Sequence, residues 1–353
     1  MKQVWIPRAG RAEVLEVREA PDPTPGPGEV RVAVRAAGVN FADVVARQGL
    51  YLDAPKFPFV PGYEVSGTVD ALGPGVTAPA VGTPVIALTR FGGYSTRVCV
   101  PARQAVPLPA GVDLLAGAAI PVTFLTAWHS LVVLGNLRPG ERVLVHAAAG
   151  GVGLSALQIA KLRGAGLVAG TAGPSKHERL RALGLDAPID YYKQDFEAEV
   201  KRLTDGKGVH VVLDAVGGRS FQRSYDALAP GGRLVMFGAS TITSGPKRNL
   251  WSVAKGLFGM PKFKPVDLMM ANKGVFGVNM LHMADDEPDL IVDELNAILG
   301  HVAAGALKPV VDLVVPLASA AEAHKRLESH GNFGKVLLDM ADAPAPAGAP
   351  AGA

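Results

Sequence analysis

A glycine-rich segment, Ala148-Ala149-Gly150-Gly151-Val152-Gly153, is the part of the sequence whose residue types and spacing most clearly indicate chemistry. It lies between a predicted strand, Arg142 to Ala147, and a predicted helix, Leu154 to Arg163, that stops before Gly164. Glycines here let the backbone approach a pyrophosphate and let the helix pack closely on the strand, while the helix N-terminus attracts negative charge. The segment differs from the usual G-x-G-x-x-G pattern by an alanine at the first position. We therefore expect a dinucleotide phosphate site, against the alternative of a plain tight turn, formed by Ala149, Gly150, Gly151, Val152 and Gly153.

The kind of dinucleotide is predicted from the end of the next strand, Leu167 to Thr171. A site for NAD usually has an acidic residue about 20 residues after the first glycines, where it binds the ribose hydroxyls. Here the strand ends without Asp or Glu, and hydroxyl and basic side chains follow it. This combination favours the 2′-phosphate of NADPH over NADH. The expected contacts are Thr171, Ser175, Lys176 and Tyr191, with Lys193 nearby. Alternatively, Lys176 only marks a solvated helix start.

The elements that must position this site alternate between strand and helix. A capping box over Ser175-Lys176-His177-Glu178 predicts a helix that ends at Gly184, and Val209 to Leu213 and Arg233 to Phe237 are further predicted strands. This alternation predicts an α/β, doubly wound parallel sheet. By contrast, the first third of the chain has short alternating strands, such as Val30 to Val34, with Gly/Pro turns typical of a partly closed barrel. Three predicted elements near the end are expected to return to that first domain: strands 310–315 and 335–338 and a helix at 319–327.

Composition limits the other classes of function. The chain has 353 residues, enough for two domains, with 42 Gly and 28 Pro spread without a period. A formal charge of +3 and the absence of long like-charge runs make nucleic acid an unexpected partner. The single cysteine, Cys99, excludes an internal disulfide framework. No apolar run resembles a signal peptide or a membrane span, so a cytoplasmic location is expected.

Several motifs together resemble one family. Gly38-Val39-Asn40-Phe41-Ala42-Asp43, Arg47 to Tyr51, Pro61-Gly62-Tyr63-Glu64 and the glycine-rich segment are similar to the quinone-oxidoreductase branch of the medium-chain dehydrogenases/reductases. Other segments are similar to one sub-branch, the vesicle amine transport protein homologues. These segments are 175–178, 188–191, 245–250, 271–273 and 334–338. The resemblance covers about residues 1 to 340.

The resemblance implies a GroES-like partly open β-barrel domain, a Rossmann domain and an active-site cleft between them. We assign 1–122 and 284–340 to the GroES-like catalytic domain and 123–283 to the Rossmann NADP-binding domain. The tail, 341–353, contains only Ala, Pro, Gly and one Asp and is predicted to be disordered. The resemblance also implies a homodimer, often formed by pairing of Rossmann sheet edges, with Gly274 to Val278 as the candidate edge strand.

The same resemblance implies a site without zinc. Zinc-dependent relatives carry Cys where this chain has Asn40, and His where it has Tyr63 before Glu64. They also have a lobe with four closely spaced Cys, which this sequence lacks. The eight His are scattered, and no spacing makes a ligand pair with a carboxylate. His146, in the strand before the glycines, is interpreted as a packed or hydrogen-bonded residue. We expect no metal, and acceptors that take hydride readily, such as quinones and enones.

Three residues are candidates for catalysis: Asn40, Tyr51 and Tyr63. Asn40 could bind the nicotinamide ribose or the substrate oxygen, or only cap a turn. Tyr51 could donate a proton or hydrogen bond in the cleft, or be a half-buried aromatic residue. Tyr63 fills the position left by a metal ligand. From the family positions, the remaining residues expected to line the cofactor are Thr126, Phe237, Gly238, Phe276, Val278, Asn332 and Phe333.

Two other functions stay open. Basic residues beside aromatic ones in 246–263, such as Lys247 and Arg248 before Trp251, suit weak contact with a membrane surface, a mobile lid or a dimer surface. Membrane contact would fit a lipid-handling or NADPH-sensing protein with little catalysis. An enoyl or alkene reductase with the same cofactor is the second alternative, because the shape of the substrate pocket is not visible in one sequence.

Overall fold

A computed structural model describes residues 1–240 and 259–341 of the chain. The chain forms two compact units. Of the described residues, the first unit contains Met1–Pro121, Val311–Gly331 and 335–341, and the second contains 122–240, 259–310 and Asn332–Gly334. Most of the predicted membrane-contact segment and nearly all of the predicted tail lie outside the described residues.

The first unit is built mainly of β-strands. Its strands are β1 Lys2–Trp5, β2 Glu16–Glu19, β3 Glu29–Val39, β4 Glu64–Leu72, β5 Pro84–Leu88, β6 Arg97–Pro101, β7 Val106–Pro107, β14 Val311–Pro316 and β15 Lys335–Asp339. Its α-helices are α1 Phe41–Arg47, α2 Leu114–Gly117 and α11 Ala320–Glu328. The main sheet has the order β14-β15-β3-β4-β5-β7, and β6 also pairs with β3. The return of the last strands to this unit is confirmed.

The long strand β3 organises the first unit. Val30, Val32 and Val34 are buried and alternate with partly exposed residues, as the sequence pattern predicts for a half-buried strand. Three strands pair with β3 in antiparallel fashion: β4 along residues 30–37, β6 along 29–33 and β15 along 36–39. Because β3 ends at Val39 and α1 begins at Phe41, Asn40 is held at the junction of a buried strand and a helix.

The second unit contains a parallel sheet with helices. Its strands are β8 Arg142–Val145, β9 Leu167–Ala172, β10 Ala187–Asp190, β11 Val209–Asp214, β12 Leu228–Met236 and β13 Gly274–Gly277. Its α-helices are α3 Pro121–Trp128, α4 Gly151–Leu162, α5 His177–Ala182, α6 Phe196–Leu203, α7 Arg219–Asp226, α8 Pro265–Ala271, α9 Met280–Asp286 and α10 Pro288–Ala303. The strand order β10-β9-β8-β11-β12-β13 is the doubly wound order, with both directions of winding starting at β8.

The predicted parallel sheet is therefore confirmed, and β13 is an edge strand of it among the described residues. Strand β13 pairs in parallel with β12 from Arg233/Gly274 to Met236/Gly277. A π-helix, His129–Leu134, follows α3. None of the helices in the described ranges combines the length and the apolar character needed to cross a bilayer.

The second boundary between the units lies later than the sequence analysis placed it, at 310/311 rather than 283/284. Helix α10 belongs to the second unit because its buried Glu294 accepts a hydrogen bond from His129 at 2.8 Å. Gln158 also exchanges two hydrogen bonds with the Lys308 backbone. These partners lie 150 or more residues apart, so no local pattern indicates them.

The capping box predicted at Ser175 is wrong, although the helix does end before Gly184. Pro174–Lys176 forms a 3-10 turn and α5 begins at His177. Pro174 sits at the first helical position, where its fixed φ is already suited to a helix. The helical turn therefore starts before Ser175, and the N-cap residues are Gly173 for the turn and Lys176 for α5.

Candidate functional site

The predicted phosphate loop connects β8 to α4. Gly150 is the N-cap of α4 and has extended backbone angles, and its N–H donates to the Ala147 carbonyl at 2.9 Å. Ala147 has φ +52, a left-handed conformation that is rare and strained for a residue with a Cβ. A Cβ at Gly153 would lie 2.4 Å from the Ala147 carbonyl oxygen. The turn thus leaves the N-terminus of a 12-residue helix open to an anion and requires glycine where helix and loop touch.

A buried hydrogen-bond network lies at the base of this loop. His146 Nδ1 is 3.1 Å from Thr171 Oγ1, and His146 Nε2 is 3.0 Å from Ser224 Oγ. Ser224 donates to Asp214 at 2.7 Å, so its oxygen is left to accept the Nε2 proton of His146. Thr171 Oγ1 also accepts the Ala147 N–H. The network ties three strand ends and α7 to the strained residue of the loop.

The interpretation of His146 as a packed, hydrogen-bonded residue is confirmed. Burial lowers the pKa of His146, against the opposing effect of the Asp214 carboxylate. The imidazole is therefore neutral, with its proton on Nε2. Asp214 and Ser224 were not predicted, since only the fold brings residues 146, 171, 214 and 224 together. Thr171, predicted to bind cofactor, is 3% exposed, and its hydroxyl is used inside this network.

The residues predicted for the adenosine phosphate follow β9 and β10. Ser175 and Tyr191 are exposed, and Tyr191 donates to the hydroxyl of Tyr192 at 3.2 Å. Lys176 Nζ donates to the Asn332 carbonyl at 2.7 Å. A lysine ammonium has three donors, so this contact is compatible with binding a phosphate. Burial raises the pKa of Tyr191 to about 12, so its phenol remains a hydrogen-bond donor at neutral pH.

The short segment 332–334 belongs to the second unit and packs at the loop. The Gly334 N–H donates to the Ala149 carbonyl at 3.0 Å, and the Arg179 guanidinium lies 3.8 Å from the centre of the Phe333 ring. Asn332 Nδ2 donates to the Gly334 carbonyl at 2.9 Å. Sequence analysis named Asn332 and Phe333 but not Arg179, whose partner lies more than 150 positions away.

The other residues predicted to line the cofactor are spread over the same unit. Phe237 and Gly238 follow β12, Phe276 lies in β13 and Val278 follows it. The carboxyl ends of parallel strands share one edge of a sheet, which is where such folds bind ligands. Thr126 instead lies in α3, 5% exposed, and its hydroxyl donates to the Val122 carbonyl at 2.7 Å.

In the first unit, Asn40 is held by two buried charged residues. Lys335 Nζ lies 2.5 Å from both Glu64 Oε1 and Asn40 Oδ1, and Asn40 Nδ2 donates to Glu64 Oε1 at 2.8 Å. Glu64 is 0% exposed and Lys335 4% exposed. A Cβ at Gly38 would lie 2.3 Å from Glu64 Oε1, so glycine there makes room for the carboxylate. Sequence analysis named the motif containing Glu64 but did not predict Lys335 as part of the site.

A second network fixes the backbone around Asn40 and Tyr63. The buried carboxylate of Asp43 accepts hydrogen bonds from the Asn40 N–H at 2.8 Å, the Gly62 N–H at 2.9 Å and the Tyr94 hydroxyl at 3.2 Å. Burial raises the pKa of Asp43 to about 7, although these donors and the nearby Lys335 oppose the shift. Asp43 thereby connects the two segments in which the sequence analysis placed candidate catalytic residues.

The polarity of this second network follows from Arg47. Its guanidinium can only donate, so His324 Nδ1, 3.2 Å away, must accept. The neutral imidazole then carries its proton on Nε2, 3.3 Å from the Tyr94 hydroxyl, which donates onward to Asp43. Burial, together with Arg47, holds the pKa of His324 well below its usual value. Arg47 also pairs with Glu328.

Tyr51 and Tyr63, both predicted as catalytic, lie together. Their ring centres are 6.0 Å apart, and Phe91 lies 5.1 Å from Tyr63. Phe59 and Phe57 extend the same aromatic cluster. The Tyr63 hydroxyl is buried and has no hydrogen-bond partner in the described part of the chain. An unsatisfied buried donor is rare and needs an explanation, such as a ligand.

Burial raises the pKa of Tyr51 to about 12 and that of Tyr63 further still. Both phenols therefore stay protonated at neutral pH and act as hydrogen-bond donors. Among residues 1–240 and 259–341, no group of three or more His, Cys, Asp or Glu side chains is placed to hold a metal ion.

Comparison with known proteins identifies the family. Residues 26–110 match the alcohol dehydrogenase GroES-like domain, and residues 183–338 match a family described as zinc-binding dehydrogenase. The synaptic vesicle membrane protein VAT-1 homolog of Rattus norvegicus is 40% identical over 324 residues, which is 92% of this chain and 80% of that protein. The chain belongs to the medium-chain dehydrogenase/reductase superfamily, with the VAT-1 homologues among its relatives.

Solved structures of other medium-chain reductases agree with this assignment. Escherichia coli quinone oxidoreductase complexed with NADPH is 31% identical with a TM-score of 0.85, over 96% of this chain and 100% of that one. A structure described as an NAD-dependent alcohol dehydrogenase is 37% identical with a TM-score of 0.81 over the same shares. The GroES-like domain and the Rossmann-type sheet predicted from sequence are confirmed.

Proposed function

We propose that this member of the medium-chain superfamily is an NADPH-dependent oxidoreductase that transfers hydride to a quinone or another conjugated carbonyl compound without using zinc. The observation that supports it most directly is the phosphate loop. Gly150 opens the N-terminus of α4, and Gly153 cannot carry a Cβ without meeting the Ala147 carbonyl. A loop of this shape suits a pyrophosphate, and the group that a dinucleotide of this type supplies is a hydride donor.

The adenosine side supports NADPH in particular. Strand β9 ends at Ala172 without an acidic residue, and Ser175, Lys176 and Tyr191 follow β9 and β10 with exposed or partly exposed side chains. A carboxylate would repel a 2′-phosphate, whereas an ammonium and hydroxyl groups bind it. The Escherichia coli neighbour is described as an NADPH complex, which agrees with this assignment.

The acceptor side is inferred from groups that can bind an oxygen. Tyr63 has a buried hydroxyl without a partner in the described part of the chain, and Asn40 offers an amide. The rings of Tyr51 and Phe91 lie beside Tyr63, and Phe59 packs against Phe91, an aromatic cluster suited to a flat conjugated molecule. Because both phenols stay protonated, they would stabilise negative charge by donating hydrogen bonds, and the proton that completes the reduction would come from water.

The same residues also suit an enone, so the enoyl or alkene reductase alternative differs only in the acceptor. The membrane-contact hypothesis rests on 246–263, of which only 259–263 lies within the described residues. A relative supports this hypothesis by its name, since the VAT-1 homolog of Rattus norvegicus is named as a synaptic vesicle membrane protein. Contact with a membrane therefore stays a prediction for this chain.

The test is a turnover assay with variants of the phosphate site. Purified protein would be mixed with NADPH and a small ortho-quinone, and loss of reduced-nicotinamide absorbance followed, with NADH and an enone in parallel assays. Lys176→Ala should raise the KM for NADPH roughly 10- to 100-fold, the effect of one hydrogen bond between charged groups, and leave the KM for NADH nearly unchanged. Lys201→Ala is the matched control, because Lys201 pairs with Glu197 on α6.

Tight binding of NADPH without turnover of any quinone or enone would contradict the proposed function. A preference for NADH in the wild type, or equal effects of Lys176→Ala on both nucleotides, would contradict the assignment of the 2′-phosphate site. Faster reduction of the enone than of the quinone would move the function to the alkene-reductase class.

A further inference from the structure

The orientation of the Asn40 amide is dictated by its two charged neighbours. The Lys335 ammonium can only donate, so the atom 2.5 Å from it must be the amide oxygen. The Glu64 carboxylate can only accept, so the atom 2.8 Å from it must be the amide nitrogen. Turning the amide over would place donor against donor and acceptor against acceptor. Hydrogen bonding to these two charged groups therefore determines the orientation of the Asn40 amide.

This arrangement uses one of the two amide N–H groups. The other N–H has no partner within the described residues, and Asn40 is partly exposed while Glu64 and Lys335 are buried. The amide therefore presents a fixed donor to a ligand. Without the Lys335 ammonium, Glu64 would be the one charged neighbour left to orient the Asn40 amide. The amide could then rotate, and either of its N–H groups could donate to Glu64.

We propose that Lys335 is a positioning residue, which together with Glu64 orients the Asn40 amide so that its second N–H binds the oxygen on which negative charge develops in the acceptor. This rests on the proposed function. In that reaction the electron pair of the hydride forms a new bond to the conjugated acceptor, a π-electron pair of the acceptor moves to the carbonyl oxygen, and a proton from water completes the reduction. A donor held in place before the reaction stabilises that charge without reorganisation.

The alternative is that Lys335 only neutralises Glu64 and stabilises the fold. The two roles differ in what they predict for Asn40. A positioning residue acts through the amide, so removing Lys335 from a chain that already lacks the amide should have no further effect on the ligand. A residue that only stabilises the fold would add its effect independently, because the two changes would then be uncoupled.

The direct probe is 4-nitrophenol, whose phenolate carries the charged oxygen of a reduced acceptor and absorbs visible light. Its affinity would be measured by absorbance titration with saturating NADP⁺, for the wild type, Lys335→Met, Asn40→Ala and the double variant. Lys335→Met and Asn40→Ala should each weaken phenolate binding about tenfold or more. The double variant should bind phenolate no more weakly than Asn40→Ala does. Lys335→Arg should restore most of the phenolate affinity. The affinity for NADPH should stay within about threefold in Lys335→Met and Lys335→Arg, because the phosphate loop is unchanged.

Two variants control for the possibility that weaker binding only reflects a loss of folding. Lys335→Met combined with Glu64→Gln removes both charges and leaves no unpaired buried carboxylate, and it should bind phenolate as weakly as Lys335→Met. Arg35→Met removes the Arg35–Asp339 pair, which joins β3 to β15, the strand that also carries Lys335. This control should lose some stability but bind phenolate like the wild type.

The outcomes separate the two proposals. Wild-type affinity for phenolate in Lys335→Met, or effects of Lys335→Met and Asn40→Ala that multiply, would overturn the positioning role even in an active reductase. Failure of the wild-type protein to bind the phenolate would also overturn it. A protein that binds phenolate in the expected pattern, yet turns over no quinone or enone, would support the positioning role and contradict the proposed function.

Discussion

Asp43 gives the first unit a pH-dependent stability that can be measured directly by the change Asp43→Asn. The carboxyl group is buried, and burial raises its pKa to about 7. In the unfolded chain the same group has its ordinary pKa, near 4. Between these two values the folded protein keeps a proton that the unfolded chain has lost. The stability contributed by Asp43 is therefore present below about pH 4 and lost as the pH rises toward 7.

The magnitude follows from linkage for a single proton. The free energy of unfolding falls by at most about 1.4 kcal/mol per pH unit while one extra proton is held in the folded state. Between pH 5 and pH 7, the wild type should lose roughly 2–3 kcal/mol relative to Asp43→Asn, which cannot titrate. Asp43→Asn should also be less stable than the wild type at pH 5, because its amide places a donor against one of the N–H groups of Asn40 and Gly62.

The assay is urea unfolding of both proteins at pH 5, 6, 7 and 8, followed by circular dichroism. The difference between the two proteins at each pH removes the contribution of all other titrating groups. Asp22→Asn is the control: pairing with the N-terminal amine holds the pKa of Asp22 below its usual value, so this change should add no slope between pH 5 and pH 7. Parallel pH profiles for the wild type and Asp43→Asn would refute the raised pKa and the reasoning from burial.

Two glycine substitutions test the geometry of the two sites. Gly153→Ala places a Cβ 2.4 Å from the Ala147 carbonyl, so the affinity for NADPH measured by fluorescence titration should fall at least tenfold; unchanged affinity would show that the loop shifts without a loss of binding. Gly38→Ala brings a Cβ within 2.3 Å of the Glu64 carboxylate. It should lower the free energy of unfolding by about 1–3 kcal/mol and weaken phenolate binding. An unchanged melting temperature and phenolate affinity would mean that Gly38 does not restrict the position of the Glu64 side chain.

Much of the nucleotide-binding unit could be predicted because its signals are local. The glycines at 150, 151 and 153 lie between a strand and a helix that are both visible as apolar patterns. The doubly wound parallel sheet agrees with the expectation, as does the edge position of β13, which the family resemblance implied. The error at Ser175 has a local cause as well, since Pro174 starts the helical turn before the serine that was expected to cap it.

The first unit was predicted less fully because its site is assembled from distant segments. Asn40, Glu64 and Lys335 come from three strands or strand ends, and Lys335 lies 295 residues after Asn40. The series of hydrogen bonds that runs from Arg47 through His324 and Tyr94 to Asp43 likewise joins residues more than 200 positions apart. His324 appeared in the sequence only as one of eight scattered histidines. Such contacts follow from strand pairing and helix packing, which a single sequence does not display.

The charges of the first unit suggest how a dehydrogenase framework can bind an electron-poor acceptor through hydrogen bonds. A buried carboxylate is strongly destabilised unless a cation balances it, and in this protein Lys335 lies 2.5 Å from Glu64 and supplies that balance internally. Asn40 and Tyr63 are then neutral, and each has one donor left without a partner in the described part of the chain. Neutral donors cannot activate an alcohol by removing its proton, but they can stabilise an oxygen that gains negative charge. The arrangement therefore supports the proposed reduction of a conjugated carbonyl compound.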